Sequence, residues 1–222
     1  MSVSKLTPST QNYLKEMWLM QEWSDEPITV SVLAERMGLK LSSVSDAMRK
    51  LAAEGLVNHA PYTPVTLTEQ GRIHAIDMVR RHRLIETFLV ETLGYEWDEV
   101  HEEAESLEHA VSDVLIQRMD AFLGHPTRDP HGDPIPLADG TITQPEAALL
   151  YEFSAGDAVV VERISDDNPE LLQFLAGKGI GVGSELKLGE AEPFADTVQL
   201  RAGDEGLSLG HSAASKIWVR RL

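Results

Sequence analysis

The chain contains no cysteine. That excludes disulfides, a thiolate nucleophile and any zinc or iron–sulfur centre held by thiolates. No apolar run approaches the length of a bilayer span, and the start MSVSKLTPST lacks a signal-peptide pattern. The expectation is a cytoplasmic protein with no membrane partner. Basic residues are also scarce: 19 Lys and Arg stand against 36 Asp and Glu, for a net charge of −17. Taken whole, that sign repels a phosphate backbone. The deficit is uneven, however. Residues 1–72 hold seven basic against eight acidic groups, whereas 73–124 hold four against twelve and 125–222 eight against sixteen. Only the first third is close to neutral, so DNA binding is open to it alone.

That third has an ordered pattern. Residues 8–23 read as a helix capped by Ser9 or Thr10, with Tyr13, Met17, Leu19 and Met20 on its apolar stripe. Residues 29–38 read as a second helix, with Val32, Leu33 and Met37 inward and Gly38 as its stop. Residues 42–54 form a third, capped by Ser42 and ended by Gly55, with Val44, Met48 and Leu51 inward. LVNHAPYTPVTLTEQG then alternates as a two-stranded hairpin. Helix, turn, helix, hairpin is the winged helix-turn-helix order. The third helix would read DNA: Ser42, Ser43 and Asp46 suit base edges, while Lys40, Arg49 and Lys50 suit phosphates. Tyr62 and Thr63 in the wing are candidates for the DNA backbone. The competing reading is a capped, solvated helix face.

The middle of the chain carries histidine and carboxylate at helical spacing. A helix from about Thr68 to Leu93 ends at Gly94 and holds His82 and Glu86, four apart. The next helix starts between Trp97 and Val100 and holds His101, Glu105 and His109, with Glu108 between the last two. Residues three and four apart share a helix face, so each helix presents imidazole and carboxylate on one stripe. This is how helices build a divalent-metal site; a solvated polar face is the alternative. Without thiolate the set suits Mn²⁺, Fe²⁺ or Zn²⁺, and its oxygen content leans toward Mn²⁺. Ala110 to Leu123 adds a further amphipathic stretch. Its Val111, Val114, Leu115, Met119 and Phe122 are more apolar surface than a small helix pair needs, which points to a subunit interface.

Residues 125–147 are rich in proline and glycine and read as a linker or an ordered irregular loop. After them, four short strands and a helix closed by Gly179 occupy residues 148–222, as in a small SH3-like barrel. The expected fold is therefore multidomain and mainly α: a winged helix over 1–72, metal and dimerisation helices over 73–124, the linker, and a barrel over 148–222. His59 and His74 are expected at the surface or in the wing, His125 and His131 in the loop, and His211 at a turn.

The run RRHRLIETFLVETLGYEWDEVHEEAESLEHAVSD, followed by RDPHGDPIP, resembles the DtxR/MntR family of metal-dependent repressors, most closely its manganese-responsive actinobacterial branch. The resemblance covers essentially the whole chain and makes the last domain FeoA-like. It implies an ancillary site of His82, Glu86 and His101. It implies an activating site of Glu105, Glu108 and His109 with Asn12 from the first helix. Glu105 stands where iron-type members have Cys. Lys15 stands where some manganese regulators have a second carboxylate. Third-domain ligands fall near Arg163, which cannot ligate, and Asp166.

The function this implies is a manganese-activated repressor of metal-homeostasis genes, binding double-stranded operator DNA as a homodimer with two ion sites per subunit. An iron(II)-responsive regulator is the alternative within the family. A metallohydrolase would leave the winged helix unexplained, and a regulator sensing an organic ligand would make the histidines structural. Without metal, Glu105 and Glu108 are expected to repel each other and to leave the first helix untied.

Overall fold

The computed structural model describes residues 2–60, 63–192, 194–203 and 205–222. The chain divides into two compact units. The first contains residues 1–85, 105–124 and 136–142; the second contains 86–104, 125–135 and 143–222.

In the first unit, α1 (Pro8–Glu22) is capped by Thr7, whose hydroxyl accepts from the Thr10 N–H, with Pro8 in the first turn. Neither Ser9 nor Thr10 is the cap, because Pro8 lacks the N–H that is spare at a helix start and so begins the helix. Next come α2 (Val30–Arg36), capped by Thr29, and α3 (Leu41–Ala53). Ser42 does not cap α3; the helix starts one residue earlier and Lys40 holds the N-cap position without a side-chain hydrogen bond. β1 (Val57–Asn58) and β2 (Thr66–Leu67) pair antiparallel. Together these elements form a winged helix-turn-helix. Its core holds Tyr13, Leu14, Met17, Leu33, Val44, Met48, Leu51 and Val65. Val32, expected inward, is exposed. Gly71, near the start of α4 (Glu69–Phe88), lies against the Leu56 carbonyl so closely that a Cβ would overlap it.

α4 ends in a π-helical turn, Leu89–Leu93, closed by Gly94 in the left-handed region. α5 (Val100–Leu107) follows, then α6 (Asp113–Phe122), capped by Ser112. Val114, Leu115 and Phe122 on α6 are exposed, Phe122 by 69%. The arginines of α4 are buried and paired within the first unit. Arg83 pairs with Glu22, Arg80 with Asp120 and the Pro136 carbonyl, and Arg81 with Asp113. They hold helices together rather than face solvent.

The second unit centres on an antiparallel six-stranded sheet. Its strands are β3 (Ala148–Leu149), β4 (Ala158–Ile164), β5 (Glu185–Gly189), β6 (Thr197–Ala202), β7 (Glu205–Gly210) and β8 (Ile217–Arg221). Their order is β3-β8-β4-β5-β6-β7. α7 (Pro169–Gly177) and α8 (His211–Ala214) complete it. β3 and β7 escaped the sequence reading, the first for its length and the second because Gly206, Ser208 and Gly210 mask its alternation. Residues 125–135 are an ordered loop. Asp129 Oδ1 accepts the N–H groups of His131 and Asp133 at 2.9 Å, and the His131 carbonyl accepts from Ile164. Gly132 is in the left-handed region, and a Cβ there would overlap the Glu162 carbonyl oxygen.

Candidate metal centre

In the first unit the centre is built where α1 meets the end of α5. α5 stops at Leu107, so Glu108 and His109 stand on a turn rather than on the helix expected through His109. Ala110 and Val111 both donate to the Leu107 carbonyl, and Ser112 then opens α6. The turn brings the Glu108 carboxylate fully into the interior.

Lys15 projects from α1 into the same place and is 1% exposed. Its ammonium lies 2.7 Å from Glu108 Oε1 and 2.9 Å from Oε2, and it also pairs with Glu105 Oε1. His82 Nδ1 lies 2.7 Å from Glu108 Oε2. Burial alone would lower the pKa of Lys15, but the charges of Glu108 and Glu105 outweigh it and hold the pKa above its ordinary value. Burial alone would raise Glu108, but the His82 hydrogen bond and Lys15 bring it down. The expectation of two mutually repelling carboxylates and an untied first helix is therefore corrected: an ammonium sits between them, and it ties α1 to the turn.

Could these residues hold a divalent ion? Gln11 Nε2 donates to the carbonyls of Val3 and Leu6. Its Oε1 therefore accepts from His109 Nδ1, 2.6 Å away. In neutral His109 this leaves the Nε2 lone pair, 3.6 Å from Glu108 Oε1. That is too long for a hydrogen bond, but ligands of one ion at about 2.0–2.3 Å stand roughly 3–4.5 Å apart. His82, Glu105 and Glu108 offer ligand atoms that all lie within 4.8 Å of one another. Asn12 is half-buried, and its Oδ1 is buried without a hydrogen-bond partner among the described residues. The donor set fits.

The second unit gathers another set. His101 Nδ1 lies 2.8 Å from Asp166 Oδ2 and 3.3 Å from Glu86 Oε1. Burial would lower the His101 pKa; the hydrogen bonds to Asp166 and Glu86 override it and push it up to about 11. Glu86, Asp129 and His131 form an adjoining buried group with ligand atoms within 4.8 Å. His131 Nε2 lies 2.6 Å from the Trp97 carbonyl, so in the neutral ring Nδ1 carries the lone pair. That nitrogen has no hydrogen-bond partner among the described residues and faces Glu86 Oε2 at 3.9 Å. Again the spacing suits two ligands of one cation. Asp129 and His131 were missed in the sequence because their loop has no helical period; the signal available was a histidine two residues from an aspartate in a turn. Arg163 pairs with Asp133 and covers Trp218, a structural role.

The remaining histidines differ in part from expectation. His74 is buried, not at the surface, and hydrogen-bonds Gln70. His211 starts α8 and stacks on Tyr151. Lys40, Ser42, Ser43, Asp46, Arg49 and Lys50 are all exposed at α3. Arg49 pairs with Asp46. Thr63 is exposed and donates to Ala60; Tyr62 lies outside the described residues.

Comparison with known proteins places the chain among repressors. Residues 5–65 match the iron dependent repressor N-terminal DNA binding domain, and 68–137 match the iron dependent repressor metal binding and dimerisation domain. Residues 148–221 match the FeoA domain. The iron-dependent repressor IdeR of Mycobacterium tuberculosis is 30% identical over 99% of this chain and 100% of its own length. A solved manganese-dependent transcriptional repressor in complex with manganese is 50% identical, with a TM-score of 0.90, covering 96% of this chain and all of that one. The manganese regulator SloR is 35% identical, with a TM-score of 0.81, over 98% of this chain and all of its own.

Proposed function

This chain belongs to the DtxR/MntR family of metal-dependent transcriptional repressors, which are regulators and not enzymes, and we propose that within it manganese(II) is the activating ion. The observation that carries this reading is the donor set. Every ligand-capable side chain in both clusters offers carboxylate or amide oxygen or imidazole, and thiolate is absent. Such a set suits a hard divalent ion. A manganese-dependent repressor at 50% identity supports it, and the iron-dependent relatives at about 30% make iron(II) the second reading.

Glu105, Glu108 and His109, with Asn12 and His82 beside them, hold one ion. Glu86, His101 and Asp166, with Asp129 and His131, hold a second. A bound ion supplies positive charge where the chain is most acidic. The residues do the rest. α1 carries Gln11, Asn12 and Lys15 from the DNA-binding domain to the Glu108 turn, so whatever occupies that cluster fixes how α1 is held. α3 offers Ser42, Ser43, Lys40, Arg49 and Lys50 to operator DNA, with first-turn N–H groups that no side chain caps among the described residues. The exposed apolar face of α6 seats a second copy, so that two recognition helices meet half-sites about 34–36 Å apart. A coupling of about 1–3 kcal/mol between ion and operator is the usual scale.

The test is operator retardation in chelator, Mn²⁺, anaerobic Fe²⁺ and Zn²⁺. Binding strengthened most by Mn²⁺ at cellular concentrations supports the reading. Equal affinity in chelator and Mn²⁺ rejects it, and a stronger response to Fe²⁺ selects the alternative. Glu108→Gln should remove activation while the dimer persists.

A further inference from the structure

Lys15 is a second cation aimed at the carboxylates that the activating ion requires. Its ammonium touches both oxygens of Glu108, at 2.7 and 2.9 Å, and one oxygen of Glu105. The side chain is buried, and so is Glu108. A surface lysine could swing into water at no cost; this one is enclosed and has no other acceptor among the described residues. A divalent ion about 2.0–2.3 Å from the same oxygens would stand beside the ammonium, with two positive centres in a poorly solvated space. Their mutual repulsion is strong there. The two cations cannot share the pair of carboxylates.

We infer that Lys15 is a tethered competitor: its ammonium fills the cation position between Glu105 and Glu108 in the metal-free chain, and a divalent ion binds there only by displacing it. Competition of this kind divides the intrinsic affinity by the stability of the tethered form, as when a binding-competent state is only partly populated. Lys15 thereby sets the metal concentration at which the regulator responds. It also keeps α1 joined to the Glu108 turn in both states, through different cations. The charge balance agrees: Glu105 and Glu108 together neutralise one divalent ion once Lys15 has left, and no further carboxylate of that group is left over for a second.

This rests on the reading that the Glu105–Glu108 cluster takes the activating ion, and the experiment separates the two. In the full-length chain, Mn²⁺ affinity is measured by calorimetry for the unmodified protein, Lys15→Met and Lys15→Arg. Lys15→Met should bind Mn²⁺ at least ten-fold more tightly, while its metal-free form melts at lower temperature because two carboxylates lose their counter-charge. Lys15→Arg should stay close to the unmodified affinity. Unchanged or weaker binding by Lys15→Met overturns the inference. If Lys15→Met does not fold, the unmodified chain still decides. Its Lys15 ammonium signal is followed by ¹⁵N NMR during titration with diamagnetic Cd²⁺. That signal should move or vanish in step with the first equivalent bound at this cluster, and a signal unchanged at saturation overturns the inference. Metal-dependent operator binding with either negative result removes only the competitor role. No Mn²⁺ binding by any form removes both.

Discussion

His101 Nδ1 stands 2.8 Å from Asp166 Oδ2, which links an imidazole just inside α5 to a carboxylate just past β4 within one unit. Because the folded pKa of His101 is about 11, well above the unfolded value of about 6.5, the folded state binds the extra proton between those limits. Its contribution to stability is present in full below about pH 6.5 and is lost as pH rises toward 11. Metal-free protein should therefore lose more stability between pH 7 and 9.5 than the Asp166→Asn variant does. Urea titrations at several pH values, in chelator, check this; parallel curves for the two proteins would remove the coupling.

The loop of residues 125–135 makes a second prediction through one backbone position. Gly132 and Gly156 both have positive φ, near 92° and 94°. Only Gly132 has a neighbour in the way, the Glu162 carbonyl; an added Cβ at Gly156 meets nothing. Gly156→Ala should cost about 1 kcal/mol, the left-handed backbone term alone. Gly132→Ala should cost a further ~1–3 kcal/mol from overlap, read from denaturation midpoints. Equal losses would show that the carbonyl yields.

Arg83 and Glu22 form a buried pair in the first unit, with Arg83 Nη1 2.9 Å from Glu22 Oε1. Arg83→Ala should destabilise by about 3–5 kcal/mol by leaving a buried carboxylate behind. Arg83→Met with Glu22→Leu should recover most of that, because replacing both charges removes their desolvation cost. A double variant as weak as the single would mean that packing, not charge, sets the loss.

On the DNA-facing helix, Arg49 is engaged by Asp46 one turn earlier. Arg49→Ala should weaken binding across sequences and reduce the salt slope by about one. Asp46→Ala should free Arg49 and raise affinity for unrelated DNA. Retardation at a series of salt concentrations measures both; an Asp46→Ala variant that loses affinity for every sequence would argue that this carboxylate acts on bases.

The winged helix was legible in the sequence because its helices are short, amphipathic and closed by Gly38 and Gly55, both of which have positive φ. The carboxylates and imidazoles from His82 to His109 were legible from spacing, although Glu108 and His109 reach their positions from a turn rather than a helix face. Lys15 was read only as a missing carboxylate, since nothing in a sequence tells where a long flexible side chain will end. Arg80, Arg81 and Arg83 read as ordinary surface charge; only packing reveals them as buried. Asp129 and His131 depend on a loop whose shape comes from side-chain caps and Gly132, not from a period. β7 stayed hidden for a similar reason, being a strand with three small residues in alternate places.

The widened turn at Leu89–Leu93 sits between Glu86 and His101 along the chain. A π turn is an α-helix with one residue inserted. Removing any single residue there would let the helix run regularly and swing everything after it by about 100°, carrying His101 away from Glu86. This stretch can therefore change its side chains over generations far more easily than its length.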